Sequence, residues 1–161
     1  MIKLIDGNLL DFPNGINQIA HSCNTLNVMG AGIAKQIKDR YPLAWNADCI
    51  ANQRVENILG SWSFGWADNG ECQKGIYNLY TQEKVGNGRE VNYEAFYLSL
   101  LQVEKDLVFK KNSGDEIIFG LPYGISCGLA GGSIRIINTM IHDIFTKSPI
   151  DLLMVRYKNQ V

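Results

Sequence analysis

The sequence predicts an α/β fold, a three-layer α/β/α sandwich in which helices cover both faces of a mixed central sheet. Apolar segments of strand length alternate with segments of helical periodicity along the 161 residues, which is typical of this architecture. One central segment has a period of two and is followed closely by another strand, so one strand pair is predicted to be antiparallel. The length and the lack of repeats or linkers favour a single domain over residues 1–161.

The first half of the chain predicts two strands and two helices. Residues 2–5 form the first predicted strand, and residues 16–21 form the second, whose apolar centre is typical of a strand covered on both faces. A helix over residues 32–40 follows, and Tyr41-Pro42 ends it because a residue before proline avoids the helical region. A second helix is predicted over residues 43–55.

The second half adds four strands and two helices, over residues 60–67, 75–81, 92–110, 116–121, 133–145 and 150–157. The first of these strands alternates Trp62, Phe64 and Trp66 with smaller residues, and it pairs with the next strand as a hairpin. Its aromatic face could stack a base, although such a face is more often part of a core. Ser133 is a favourable N-cap for the helix over residues 133–145.

Composition excludes several classes of function. The formal net charge of −1 argues against a broad basic face, so no nucleic-acid binding is expected. The four cysteines contain no C-x-x-C pair, which favours reduced thiols over disulfides or zinc, and no metal site is predicted. There is no signal peptide pattern and no segment near the roughly 20 apolar residues of a membrane span. We expect a cytoplasmic protein that does not bind membranes.

Two glycine-rich segments form the candidate ligand site. The first contains Gly30 and Gly32, between a strand and a helix, and the second covers residues 122–132. Helix starts present unpaired N–H groups with partial positive charge, and glycines let the backbone approach a ligand. Both segments follow strands, so they are expected to face one cleft at the carboxyl edge of the sheet. Two such walls suit a diphosphate, although each segment alone also fits a plain connection.

Four sequence segments together resemble a macrodomain. They are GNLL at residues 7–10, AHSCN at residues 20–24, MGAGIA at residues 29–34 and GISCGLAGG at residues 124–132. With the last strand, the resemblance spans essentially the whole chain. It is closest to the branch that holds ADP-ribose 1″-phosphate phosphatases and TARG-type ADP-ribosyl-glutamate hydrolases. The HSCN run and the RYP ending of the first helix are similar to the phosphatase side of this branch.

The resemblance implies a set of ligand-binding residues. Asn8 would contact the adenine amino group, Asn24 would reach the distal ribose, and Tyr157 would border the adenine. Two phosphate-binding loops and their neighbours supply the rest, namely Leu9, Cys23, Met29, Gly30, Ala31, Gly32, Ile33, Tyr123, Ser126, Cys127, Gly128, Leu129 and Ala130.

Two departures from the family pattern concern catalysis. Where TARG-type hydrolases have a catalytic lysine this chain has Gln82, and the nearest lysine is Lys84. Where these hydrolases or their relatives have an aspartate, this chain has Ala130 or Ser133. These departures weaken a glutamate de-ADP-ribosylation activity more than they weaken phosphate removal.

The resemblance therefore implies an ADP-ribose-binding macrodomain, and we expect it to hydrolyse ADP-ribose 1″-phosphate to ADP-ribose and phosphate. His21 is the catalytic candidate, because its ordinary pKa lies near neutrality and it ends a strand beside the first loop. The alternative is that His21 only forms hydrogen bonds and shapes the cleft. Cys23 and Cys127 flank the cleft, but such cysteines are more often small buried residues than nucleophiles.

Two other functions stay open at this stage. The chain could be a non-catalytic reader of ADP-ribose, which the missing lysine and aspartate favour. It could also hydrolyse protein- or nucleic-acid-linked ADP-ribose through other residues, such as Lys84. In each case we expect a monomer that binds a small-molecule ligand and uses no cofactor.

Overall fold

A six-stranded mixed sheet forms the centre of the protein in a computed structural model, which describes residues 1–54, 56–68, 71–86 and 90–158. The strands are β1 (Ile2–Asp6), β2 (Gln18–Asn24), β3 (Trp62–Trp66), β4 (Gly75–Gln82), β5 (Ile118–Pro122) and β6 (Asp151–Arg156). The helices are α1 (Gly32–Arg40), α2 (Pro42–Arg54), α3 (Tyr93–Asn112) and α4 (Ile134–Phe145). The predicted α/β/α class with a mixed sheet is confirmed.

The strand order β1-β6-β5-β2-β4-β3 gathers the ends of distant chain segments. Every neighbouring pair is parallel except β3 and β4, which form the predicted antiparallel hairpin. The carboxyl ends of five strands therefore meet at one edge of the sheet. In open α/β sheets this edge is where ligands bind.

Each face of the sheet carries one pair of helices. On one face, Ile37 of α1 and Ala44 of α2 pack with Ile19 of β2 in a buried cluster. On the other face, Leu100 of α3 and Ile141 of α4 belong to the larger buried cluster. Both faces are thus covered, which explains why β2 and β4 are apolar along most of their length.

Several element ends differ from the prediction. β2 runs three residues beyond His21, because pairing with β4 continues to Asn24 with a register shift after Cys23. Ser133 is the N-cap residue of α4, but its side chain makes no capping hydrogen bond. Its N–H instead donates to the Tyr93 hydroxyl at 2.9 Å. The predicted second helix reaches Val55, which lies outside the described residues.

No helix in the described part of the chain is long and apolar enough to cross a membrane.

Helix α2 packs directly on β3 at Gly65. A Cβ atom placed there would lie 2.5 Å from the Leu43 carbonyl oxygen and 2.6 Å from the Ala44 Cα atom. Both contacts are backbone atoms and cannot rotate away. We expect Gly65→Ala to lower the free energy of unfolding by about 3 kcal/mol, at the upper end of the usual cost of overpacking.

Urea unfolding of Gly65→Ala measures this effect, with Gly128→Ala as the matched control. A Cβ atom on Gly128 would meet no heavy atom within 4 Å, so its stability should stay close to that of the wild type. An equal stability of the two variants would contradict the close approach of α2 to β3.

Candidate functional site

A cleft of about 1160 Å³ opens at the carboxyl edge of the sheet. Its lining comes from the ends of β1, β6, β5, β2 and β4 and from the loops that follow β2 and β5. Five neighbouring strands at the usual spacing span about 19 Å. The predicted ligand residues that line it are Asn8, Leu9, Cys23, Asn24, Gly30, Ala31, Gly32, Ile33, Tyr123, Ser126, Cys127, Gly128, Leu129, Ala130 and Tyr157.

The first wall of the cleft is the start of α1. Ala31 is the N-cap residue in extended conformation, and no side chain caps the helix. Lys35 donates its N–H to the Ala31 carbonyl oxygen at 3.2 Å, which begins the helical pattern. Within the described residues, the N–H groups of Gly32, Ile33 and Ala34 have no acceptor, as is usual for a first helical turn. This end of α1 therefore offers donors and partial positive charge to the cleft.

The second wall is the loop between β5 and α4. The Cys127 N–H donates to the Gly124 carbonyl oxygen at 2.9 Å and closes a tight turn. Ser126 lies within this turn at a φ of 62°, which non-glycine residues rarely adopt. The N–H groups of Ser126, Gly128 and Leu129 find no acceptor among the residues that the structure describes. The loop thus presents a second set of donors.

A side-chain hydrogen bond joins the second wall to the sheet. The hydroxyl of Ser22, near the end of β2, bonds to the hydroxyl of Ser126. Both residues line the cleft. This bond fixes the second loop beside the strand that leads into the first loop, so the two sets of N–H donors face the same space.

Charge is scarce in the cleft. Among the described lining residues, Arg156 carries the one charged side chain, and no aspartate, glutamate, lysine or histidine contributes to the lining. The Arg156 Nε–H donates to Asp6 Oδ1 at 2.8 Å, and this hydrogen bond lowers the pKa of Asp6. An anion in the cleft would be held chiefly by backbone amides.

Comparisons with solved structures identify the fold. A macrodomain protein from Streptomyces coelicolor is 25% identical, with a TM-score of 0.75 over 98% of this chain and 99% of that one. The chain is a macrodomain by fold. The macrodomain of Mycobacterium tuberculosis DarG is 23% identical, with a TM-score of 0.76 over 98% and 97% of the two chains. Thermosipho africanus DarTG, solved in complex with ADP-ribose, is 18% identical with a TM-score of 0.78 over 99% of this macrodomain and 42% of that chain.

Curated sequences give a partial similarity. An ADP-ribose 1″-phosphate phosphatase of Aspergillus oryzae is 49% identical over 45 residues, which is 28% of this chain and only 22% of that protein. An uncharacterized 17.5 kDa protein of enterobacteria phage T4 is 28% identical over 152 residues, or 93% of this chain and 94% of that protein. No protein-family model matches the chain.

His21 does not lie in the cleft of this macrodomain, which corrects its predicted place beside the first loop. The residue is fully buried, and its Nε2–H donates to Asn78 Oδ1 at 2.7 Å. Asn78 in turn donates to the Ala44 carbonyl oxygen of α2 at 3.0 Å, so His21 faces the α1–α2 layer. Burial lowers the pKa of His21 to about 4, although the Asn78 hydrogen bond raises it. A buried, neutral imidazole cannot reach a substrate, so the geometry does not support His21 as the catalytic residue.

Met29, which was predicted to bind the ligand, does not line the cleft. It is 3% exposed and packs with Cys23, Ile58 and Tyr80 in a small buried cluster. Its contacts lie beneath the first loop and not within the ligand space. Met29 therefore supports the loop from below, in place of the predicted ligand contact.

The two cleft cysteines are neutral thiols. Burial raises the pKa of Cys23 well above its usual value, and the charge of Asp48 raises it further. Burial also raises the pKa of Cys127. A nucleophilic cysteine needs the opposite shift, so the geometry favours the small, partly buried role for both residues.

The two cleft asparagines already have partners in their own loops. Asn8 accepts the Leu10 N–H at 3.0 Å. Asn24 accepts the Leu26 N–H at 3.0 Å and donates to the Val28 carbonyl oxygen at 2.8 Å. Each side chain keeps spare hydrogen-bonding capacity while it holds the loop that follows its strand.

Several cleft residues were not among the predicted ligand residues. Ser22 lies on the opposite face of β2 from its neighbours His21 and Cys23. Because successive side chains of a strand alternate between its two faces, the sequence could have predicted this difference. Gln82, at the end of β4, lines the cleft, whereas Lys84 does not. Arg156 also lines the cleft, beside Tyr157. Its partner Asp6 lies 150 positions away in the sequence and comes next to it only through the pairing of β1 and β6.

Proposed function

We propose that this macrodomain binds ADP-ribose in the cleft, with the diphosphate between the two loops. The proposal rests on two groups of unpaired backbone N–H donors that line the same cleft, one at the start of α1 and one in the loop after β5. Backbone N–H groups at such positions bind phosphate oxygens without cationic side chains. The scarcity of charge in the lining agrees with this mode of binding.

The order of residues across the sheet suggests the orientation of the ligand. Tyr123, Arg156 and Tyr157 supply flat side chains at the β1–β6–β5 end of the cleft, which suits an adenine base. Cys23 and Gln82 lie at the β2–β4 end, where small polar groups suit the hydroxyls of the distal ribose. The two loops lie between these ends, where the diphosphate of ADP-ribose would lie.

The proposed reaction is the hydrolysis of ADP-ribose 1″-phosphate to ADP-ribose and phosphate. The partial similarity to the fungal phosphatase supports this choice. Water would attack phosphorus, and the bond between phosphorus and the 1″-oxygen of ADP-ribose would break. The leaving oxygen would take up a proton from solvent as the attacking water loses one, and unpaired N–H groups of the loops would stabilise the charge on the phosphoryl oxygens. The described lining contains no acidic, lysine or histidine side chain, so this catalysis would depend on the amides and on orientation more than on proton transfer.

A non-catalytic ADP-ribose reader is the second candidate. The same lack of acid–base groups in the described lining favours it, since positioned groups of this kind contribute about 10²–10⁴-fold to a rate. Hydrolysis of protein- or nucleic-acid-linked ADP-ribose has less support, because Lys84 does not line the cleft.

Two measurements on the purified protein separate these functions. We expect calorimetry to detect ADP-ribose binding, and we expect phosphate release from ADP-ribose 1″-phosphate by the wild type but not by Gly128→Glu. Binding without release would leave the reader function. Lack of ADP-ribose binding by the wild type would overturn the proposal as a whole.

A further inference from the structure

The outer side of β3 is a free strand edge. β3 is the last strand in the order of the described sheet, and β4 pairs with its inner side. The Ala67 N–H, directly after β3, donates to the Lys74 carbonyl oxygen at 2.8 Å. Hydrogen-bonded residues alternate along an antiparallel ladder, so the main-chain N–H and C=O groups of Trp62, Phe64 and Trp66 point away from β4. Among the described residues, no strand pairs with this side.

The two edge strands of the sheet differ in charge. β1, at the opposite edge, contains the exposed Lys3 and ends at Asp6, which bonds to Arg156. β3 has the sequence WSFGW, with neither a charged residue nor a proline. Charged residues and prolines are common means by which proteins prevent edge strands from pairing with other chains. The edge of β3 therefore lacks a protection that β1 has.

Helix α3 runs along this edge on one face of the sheet. The Gln102 Nε2–H donates to the carbonyl oxygen of Gly60, just before β3, at 2.9 Å. Nearer the C-terminal end of α3, the Lys110 Nζ atom lies 4.0 Å from the centre of the Phe64 ring. Asp106 compensates the charge of Lys110 at a distance of 3.2 Å. The last turns of α3 are thus level with the middle of β3.

Exposed apolar side chains form a patch where α3 flanks this edge. Leu98 and Phe109 are eleven residues apart, which is about three helical turns, so they share one face of α3. Gln102 lies on the same face and bonds to the start of β3, so this face is the one beside the edge. Phe109 is 70% exposed, Leu98 is 42% exposed, and Trp66 at the end of β3 is 36% exposed. Exposed apolar patches of this kind mark sites of protein–protein contact.

We propose that β3 pairs antiparallel with β3 of a second copy of this chain, so that two copies form a two-fold dimer with one continuous sheet. The strand is nearly the same when read in either direction, W-S-F-G-W. In a pairing centred on Phe64, each Trp62 lies opposite Trp66 of the second copy, and no charged residues face each other. Aromatic cross-strand pairs of this kind stabilise a sheet, and a self-complementary surface is what a two-fold interface requires.

The two-fold axis of this dimer passes beside Phe64 and is perpendicular to the sheet, so both α3 helices lie on the same face. Phe109 precedes Lys110, which lies over Phe64, and the Phe109 side chains of the two copies therefore approach each other and become buried. β3 contributes no residue to the cleft, so both clefts stay open, at opposite edges of the joined sheet. The inference does not depend on the proposed function, but it replaces the monomer that we expect from the sequence.

Sedimentation equilibrium of the full chain over a concentration series tests the dimer. We expect the wild type to approach twice the chain mass of 18.0 kDa. Phe109→Lys and Trp66→Lys should each raise the dimer dissociation constant at least about tenfold, as the loss of an aromatic anchor at an interface does. Leu4→Lys is the matched control, because it makes the same kind of change at an exposed residue of β1, the opposite edge strand. It should dimerise as the wild type does.

Amide hydrogen exchange, followed by NMR, shows whether the strand edge itself forms the contact. In the wild-type dimer the N–H groups of Trp62, Phe64 and Trp66 should exchange slowly, and they should exchange fast in Phe109→Lys. The N–H groups of Ser63 and Gly65 are the internal control. They face β4 and should stay protected in both proteins.

Phe109→Lys keeps the test decisive if Trp66→Lys does not fold, since Phe109 is exposed whereas the Trp66 ring packs on Phe64 at 4.9 Å. A wild type that stays monomeric throughout the series would overturn the inference. A dimer that survives in Phe109→Lys, or one that is lost in Leu4→Lys, would overturn it as well. Fast exchange of the Phe64 N–H in a wild-type dimer would place the contact elsewhere and would have the same consequence.

Discussion

Gly32→Glu is expected to lower the affinity of the macrodomain for ADP-ribose by at least about a hundredfold. Gly32 begins α1, and a Cβ atom there would meet no protein atom within 4 Å. A glutamate side chain would therefore extend into the proposed diphosphate space beside the unpaired N–H groups. Like charges placed together at a binding site cost several kcal/mol, and about 2.8 kcal/mol corresponds to a hundredfold. Calorimetry with ADP-ribose measures the loss.

Gly32→Glu also strains the backbone, because Gly32 has a φ of 58°. A control has to separate this strain from the direct block of the ligand site. Gly114 is the matched control, since it has a φ of 106° and open space around its Cβ position, but it follows α3 and does not line the cleft. Gly114→Glu carries a comparable strain of about 1–2 kcal/mol and should bind ADP-ribose normally.

Gly128→Glu provides an independent test from the second wall. Gly128 lines the cleft, its Cβ position is open, and its φ lies outside the positive range. The substitution should abolish binding without straining the backbone. Retained ADP-ribose affinity in both Gly32→Glu and Gly128→Glu would contradict the placement of the diphosphate between the loops.

The sequence predicts the fold well because the periodicities are local. The helix over residues 32–40 is confirmed at both ends, since Gly32 begins it and Tyr41-Pro42 stops it. The end of β2 is not predicted correctly. Pairing with β4 carries β2 on to Asn24, and this pairing depends on residues that lie more than 50 positions away.

The loops of the site can be predicted from the sequence, but the catalytic candidate cannot. Glycine-rich segments mark the two walls directly, because open backbone and unusual φ values are encoded by residue type. A period of two shows that His21 and Cys23 share a strand face, yet it does not tell which of them reaches the cleft. That outcome depends on α2, whose Ala44 carbonyl oxygen binds Asn78 behind His21.

His21 should make the stability of the macrodomain depend on pH between about 6.5 and 4. In the unfolded chain the histidine takes up a proton below its ordinary pKa of 6.5, whereas burial lowers the pKa in the folded chain to about 4. The unfolded state therefore binds more protons in this range, and the stability falls as the pH decreases. A shift of this size corresponds to about 3 kcal/mol, present in full above pH 6.5.

Urea unfolding at pH 7 and pH 4 tests this expectation with three proteins. The wild type should lose about 3 kcal/mol more stability between the two pH values than His21→Gln, because glutamine does not titrate. His142→Gln is the matched control, since it removes the second histidine of the chain, which is exposed on α4, and it should behave as the wild type. Carboxylates titrate equally in all three proteins and cancel in the comparison.

Equal losses of stability for the wild type and His21→Gln would show that His21 is not buried in its neutral form, and its exclusion from the cleft would then be wrong.

The same variant also tests the chemistry, provided that it folds at pH 7. If phosphate release is found, a histidine that is neutral, buried and bonded to Asn78 cannot donate a proton to the substrate. The dependence of the rate on pH should therefore have the same shape in His21→Gln and in the wild type.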